Sequence, residues 1–180
     1  LYEAARPIWE RAHGKDSPDV AVNLANHATV LKAIGDPVSA KPSLERALSI
    51  LERHYGAEHP QTAIALDNLC AVLGDLGQYE KAAEGLRRAV GIHEKTHGTG
   101  SPALATSLTN LGWTLVRLGR HDEAVAAYER ARDLLAKSVG RHHARYAVVL
   151  QNLGSALSSA GRHQQAIELL REALRVTRRA

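Results

Sequence analysis

The sequence predicts an all-α solenoid of antiparallel helix pairs. Three observations carry the prediction. Chemically equivalent residues recur every 42 positions through most of the 180-residue chain. Within each period the apolar residues follow helical spacing. Fixed Pro and Gly positions punctuate each period where helices would start and stop. The composition agrees. Hydrophobic residues make up 44% of the chain and aromatics only 4%, with neither Phe nor Met. A core of Leu, Ala, Val and Ile suits close-packed helices better than a sheet.

The repeat is seen in whole columns of residues. Gly35, Gly77, Gly119 and Gly161 share a register, as do Leu24, Leu66, Leu108 and Leu150. So do Leu31, Leu73, Leu115 and Leu157, and Asn26, Asn68, Asn110 and Asn152. Two alanine columns complete the set, Ala40, Ala82, Ala124 and Ala166, then Ala47, Ala89, Ala131 and Ala173. Pro18, Pro60 and Pro102 keep the same period, and Ala144 takes the fourth place.

Each element follows from these columns. Helix A of the first full unit starts at Ser17-Pro18, a good cap followed by a residue whose missing N–H costs nothing there. Leu24, Ala28 and Leu31 form its buried face. Gly35 ends it, because the chain reverses there and a Cβ would be strained. Helix B is expected from about Val38 to His54, burying Ala40, Leu44, Ala47, Leu48 and Leu51. Pro42 lies early in it and is expected to kink it or delay its start. Residues 56–60, Gly-Ala-Glu-His-Pro, turn into the next unit. The expected organisation is one domain over 1–180: a partial unit at 1–16, then units at 17–58, 59–100, 101–142 and 143–180. The partial unit is a helix B alone. Its residues 2–12 match 79–89 at an offset seven short of two periods, which places Trp9 in the core column of Leu44, Leu86, Tyr128 and Leu170. A chain that opens inside a helical pattern without Met reads as a fragment of a larger protein.

In the third unit, Leu108, Leu111-Gly112, Leu115, Gly119, Ala124, Tyr128 and Ala131 resemble the tetratricopeptide repeat. The 42-residue period exceeds that family's usual length of about 34 and overlaps HEAT repeats at about 40–47, but the small-residue columns and the Gly turn favour tetratricopeptide. Leu66-Asp67-Asn68-Leu69, the run from Glu45 to Ile50 and the run from Gly56 to Pro60 are similar to the 42-residue variety of kinesin light chains and bacterial signalling proteins. The resemblance implies a right-handed superhelix with helices A on the concave side. It implies a cytoplasmic, non-catalytic scaffold that binds a protein or peptide in that groove. The alternative it implies is a ligand-sensing or autoinhibitory arm of a multidomain bacterial signalling ATPase or transcription regulator, its partners being domains of the same protein.

Helical geometry names the candidate groove. Val22, Asn26, Thr29 and Ala33 lie about 200° around helix A from its buried face. The Asn26 row is Asn throughout, Asn26, Asn68, Asn110 and Asn152. An Asn amide both donates and accepts. It either holds the backbone of an extended peptide or bonds a neighbouring helix and fixes the stacking. The next row reads Thr29, Ala71, Trp113 and Ser155. Trp113 is an anchor for a ligand or a packing residue between helices A. Further rows add Asp75 and Arg117 beside Ala33 and Ser159, and Asp67, Thr109 and Gln151 beside Ala25. With Lys32, these suit a ligand of mixed charge. The Val22 row, Val22, Ile64, Thr106 and Val148, holds no Lys or Arg, which argues against the carboxylate clamp of some tetratricopeptide domains.

Other chemistry is excluded or weak. His93-Glu94-Lys95-Thr96-His97 spells the zinc-peptidase pattern H-E-x-x-H. Repeat register explains it, since Glu94 aligns with Glu52, and no third ligand follows His97. Adventitious zinc or nickel binding by the two histidines is the more that it supports. His142-His143 reads as a surface loop. Cys70, in the column of Ala28, Gly112 and Gly154, reads as a buried spacer. No phosphate-binding Gly loop, Ser-His-Asp pattern or paired-carboxylate signature stands out, and no cofactor or structural metal is called for. A lone cysteine fits a reducing compartment, and no run is long enough to span a membrane. The net charge of +4 and the closing Arg171, Arg175, Arg178 and Arg179 read as a solvated face rather than a nucleic-acid site. The last helix B exposes a flank open to further sequence or to self-association.

The alanine columns test directly. Ala124→Leu is expected to overpack the helix crossing and lower stability by about 1–3 kcal/mol, read as a fall in the denaturant midpoint.

Overall fold

The computed structural model describes residues 7–8, 11–12, 14–97 and 101–178. The core position assigned to Trp9 lies outside them. Eight full helices follow in order among the described residues: α1 (Pro18–Ala33), α2 (Pro37–Tyr55), α3 (Pro60–Asp75), α4 (Tyr79–His97), α5 (Pro102–Arg117), α6 (His121–Ser138), α7 (Ala144–Ser159) and α8 (His163–Thr177). Odd-numbered helices are the A helices of the repeat and even-numbered ones the B helices. The chain divides into two compact units, Leu1–Ile92 and His93–Ala180. The first holds the α1–α2 pair with α3 and most of α4. The second holds the α5–α6 and α7–α8 pairs.

Helix boundaries follow from caps. The Ser17 and Ser101 hydroxyls accept from the N–H groups of Val20 and Ala103 at 3.3 and 3.2 Å. His59 and His143 occupy the same column, and each caps its helix with Nδ1, accepting from Gln61 N–H at 3.2 Å and Arg145 N–H at 3.1 Å. The loop histidine His143 is therefore a helix start rather than a free surface group. At the other end, Gly35 sits at φ +83°. That left-handed turn lets the Asp36 N–H reach back to the Leu31 carbonyl at 2.9 Å and closes α1. Asp36 then caps α2 through Ser39 N–H at 3.0 Å. The bonds from Ser39 hold its carboxyl below its usual pKa. Helix α2 thus begins at Pro37, and Pro42 does not delay it. The bond it removes is the one to Val38, an exposed residue of the first turn.

Packing within each unit depends on residue size. Ala40, Ala47, Ala82, Ala89, Ala124 and Ala131 are completely buried. Opposite them, A and B side chains are matched large to small. A Cβ on Gly112 of α5 would come within 2.8 Å of the Tyr128 ring of α6. A Cβ on Gly154 of α7 would come within 2.8 Å of Leu170 Cγ of α8. In the first unit the sizes reverse: α3 carries Cys70, and its sulfur fills the space a side chain on Gly85 of α4 would need.

The core of the first unit gathers Val20, Ala21 and Leu24 of α1 with Ala47, Ile50 and Leu51 of α2 and Ala65 of α3. A second cluster joins Ala63 and Leu66 of α3 to Ala89 and Ile92 of α4. Leu48 packs against both clusters and stays half-buried, while Ile50, absent from the expected stripe, is buried. The buried stripe of α2 is wider than its i, i+3, i+4 pattern because α1 and α3 both pack on it. Leu31 is likewise only half-buried. In α8, Ile167 and Leu170 are each 43% exposed, whereas Val125 and Tyr128 in the same columns of α6 are buried where α7 packs on α6.

The size matching makes a double-mutant cycle informative. Gly112→Ala alone is expected to destabilise, its overpacking cost of about 1–3 kcal/mol exceeding the gain of about 1 kcal/mol in helix propensity. Tyr128→Leu recreates the Ala28 and Leu44 combination of the first repeat, and the double variant is expected to recover most of the loss in thermal melts.

Candidate functional site

The A helices carry the candidate residues, and each unit presents its own set. In the first unit, Asn26, Thr29, Ala33 and Lys32 of α1 are exposed, as is Asp75 of α3, while Asp67 and Asn68 are half-buried. Lys32 Nζ and Asp75 Oδ2 pair at 3.4 Å, so these two charges are spent largely on each other. In the second unit, Trp113 and Arg117 of α5 are exposed, as are Gln151 and Ser155 of α7, while Thr109, Asn110 and Asn152 are half-buried. Trp113 keeps 43% of its surface exposed. The hydroxyls of Thr29 and Thr109 donate to the carbonyls of Ala25 and Ala105 one turn back, at 2.9 and 2.7 Å. Both hydroxyls therefore face a ligand as acceptors only.

The asparagine row differs from its neighbours. Among the described residues, the side-chain amides of Asn26, Asn68, Asn110 and Asn152 make no hydrogen bond, either within a helix or across to the next. The Val22 row also faces outward, with Val22, Ile64 and Val148 all exposed apolar residues.

A cavity of about 280 Å³ opens between α5 and α7, over Leu135 of α6. Arg145 of α7 stands at its edge and donates to Thr106 Oγ1 at 2.5 Å and to the Pro102 carbonyl at 3.4 Å. Sequence reasoning missed Arg145. Its column reads Asp19, Gln61, Ala103 and Arg145 and so shows no pattern. The change of sign within the column was the available signal.

The H-E-x-x-H segment does not assemble a reactive surface. His93 is fully buried, at 0% exposure, in the column of the buried Leu51 and Leu135. It is a core residue, which removes it from any surface metal pair with His97. Glu94 points outward and pairs with Arg130 of α6. Its repeat equivalent Glu52 pairs with Arg88 at 2.6 Å. The glutamate of the motif belongs to this rung between successive B helices, an interaction the sequence reading did not find. Among the described residues no three His, Cys, Asp or Glu side chains converge as a metal site would require. Burial, with Asp67 beside it, pushes the Cys70 thiol up to about 12.

These helix pairs, built on alanine and glycine columns with an exposed face on their A helices, define a helical-repeat protein. The model of the tetratricopeptide repeat matches residues 1–53, 26–84, 61–137 and 115–179, and the chain belongs to that family. No curated protein sequence matches it. Several solved structures share its fold. BtubC (BKLC) from P. vanneervenii is 21% identical with a TM-score of 0.84, over 98% of this chain and 73% of that one. A putative kinesin light chain from Podosopora anserina is 24% identical with a TM-score of 0.83, over 98% and 83%. The apo form of RapI is 20% identical with a TM-score of 0.85, over 99% of this chain and 62% of that one. At these identities the likeness is one of fold. Among the described residues no helix is long and apolar enough to cross a membrane.

The thiol offers a simple check. With its pKa raised, Cys70 is almost wholly protonated at neutral pH and shielded by its neighbours. The native chain is expected to resist iodoacetamide at pH 8, with full labelling by mass spectrometry only in denaturant.

Proposed function

We propose that this chain is a protein-interaction module that binds an extended peptide along the exposed face of its A helices. The carrying observation is the unbonded asparagine row. In each unit two amides at equivalent positions, Asn26 and Asn68 in the first and Asn110 and Asn152 in the second, have donors and an acceptor to spare for the alternating C=O and N–H groups of an extended backbone. Had the amides served only to fix helix stacking, each would have a partner in the neighbouring helix. The backbone contact is independent of ligand sequence, so selectivity falls to the flanking rows. Trp113 supplies a rigid aromatic surface in the second unit, where its row otherwise holds the small Ser155. Exposed apolar side chains add area on the same face, Val22 and Ile64 in the first unit and Val148 in the second. The Lys32–Asp75 pair, exposed on both sides, adds little, since such pairs are worth about 0–1 kcal/mol.

A random peptide library displayed on phage and selected on the full chain tests this reading. Selected peptides are expected to bind Asn110→Ala/Asn152→Ala about tenfold or more weaker, since each lost hydrogen bond is worth about 0.5–1.5 kcal/mol. Trp113→Ala is expected to weaken them comparably. All variants are checked for an unchanged melting temperature. Peptides that bind these variants as tightly as the parent chain would move the site off the A-helix face.

A further inference from the structure

We propose that the cavity between α5 and α7 receives one aliphatic side chain of the bound peptide, and that Arg145 takes the carboxylate of an Asp or Glu beside it. This rests on the peptide-binding reading of the A-helix face and names the ligand class for that face in the second unit.

The cavity itself sets the first half. At about 280 Å³ it lies just below the roughly 300–1,000 Å³ of pockets that enclose a whole small ligand. That is room for a single large side chain. Its walls are Leu135, Ala144, Val148 and Val149, with Thr106 and Thr109. Both threonine hydroxyls donate to carbonyls of their own helix, Thr106 to Pro102 at 3.0 Å and Thr109 to Ala105 at 2.7 Å. The pocket therefore offers a guest no free hydroxyl donor, and an apolar guest loses nothing there. Asn110 also lines it, with its amide unbonded, where it can hold the backbone that delivers the side chain.

Charge sets the second half. Neither α5 nor α7 contains an Asp or a Glu. Among the described residues no carboxylate pairs with Arg145, whose bonds go to Thr106 and the Pro102 carbonyl. A guanidinium carries five N–H donors, so several still face outward. The two bonds to α5 hold the group at the cavity rim. Its position also runs against local preference. Arg145 lies in the first turn of α7, where the helix dipole favours negative charge. A carboxylate placed there satisfies the guanidinium and the helix end together. The column confines this feature to the last repeat, since Asp19, Gln61 and Ala103 stand in the other three.

The phage-selected peptides supply the test, with Arg145→Glu and Val148→Trp added. Val148 is half-exposed at the cavity mouth, so Trp is expected to block the opening while the melting temperature holds. Peptides selected on the parent chain are expected to share Leu, Ile or Val next to Asp or Glu. They are expected to bind Arg145→Glu about tenfold or more weaker, and Val148→Trp likewise. Fresh selection on Arg145→Glu is expected to keep the aliphatic residue and exchange the acid for Lys or Arg. Peptides that depend on Asn110 and Trp113 but ignore both new variants would leave the binding face standing and overturn this assignment. So would a consensus with an aromatic guest, or with no acid. A library that yields no peptide dependent on Asn110 or Trp113 would overturn both readings.

Discussion

Everything in this chain depends on how closely an A helix approaches the B helix that follows it. Helices cross at 8–10 Å, and the residues at the contact decide the distance. Here the contact consists of completely buried alanines and of glycines set against a large side chain on the opposite helix. Such a crossing buries little area per residue, so many of them must be made in the same way. The repeat supplies that repetition.

Once one face of each A helix is committed to that crossing, the opposite face is left for other work. Polar groups there cost nothing to keep, because water satisfies them until a ligand does. This accounts for amides with no partner among the described residues at positions where a stacking role was equally open. It also accounts for the exposed apolar row beside them. On the proposed peptide-binding reading, selectivity falls to departures from the repeat: Trp113 where its row is otherwise small, and Arg145 where its column is otherwise acidic, neutral or small.

The fold was legible in the sequence because its controlling residues are simple and periodic. The Gly35, Ala40 and Leu24 columns state where a helix stops, where it is crossed and which side it buries. What escaped reading depends on pairs of columns taken together. The match of Gly112 to Tyr128 joins residues in different registers. So does the Arg88–Glu52 rung, 36 residues apart. The histidine caps escaped because an imidazole seldom does what Ser17 does, although His59 and His143 stand in its column. Of the site, the exposed face was legible from helical geometry. Whether its asparagines were already bonded was not, since the same residue serves either purpose. The cavity escaped because it arises between α5 and α7 and belongs to neither sequence alone.

The size matching inside each pair has a consequence for how such a gene can change. Cys70 fits Gly85, and Gly112 fits Tyr128, but Cys70 facing Tyr128 would set a sulfur against an aromatic ring. Unequal recombination that cuts in a loop between repeats moves matched helices together and leaves every A–B crossing within a repeat intact, renewing only the contact between one repeat's B helix and the next repeat's A helix. A cut between the two helices of a pair creates mismatched crossings, though it preserves both reading frame and repeat length. Gain or loss of 42-residue blocks is therefore tolerated in one phase only, and the loops at Gly56 and Gly140 mark that phase.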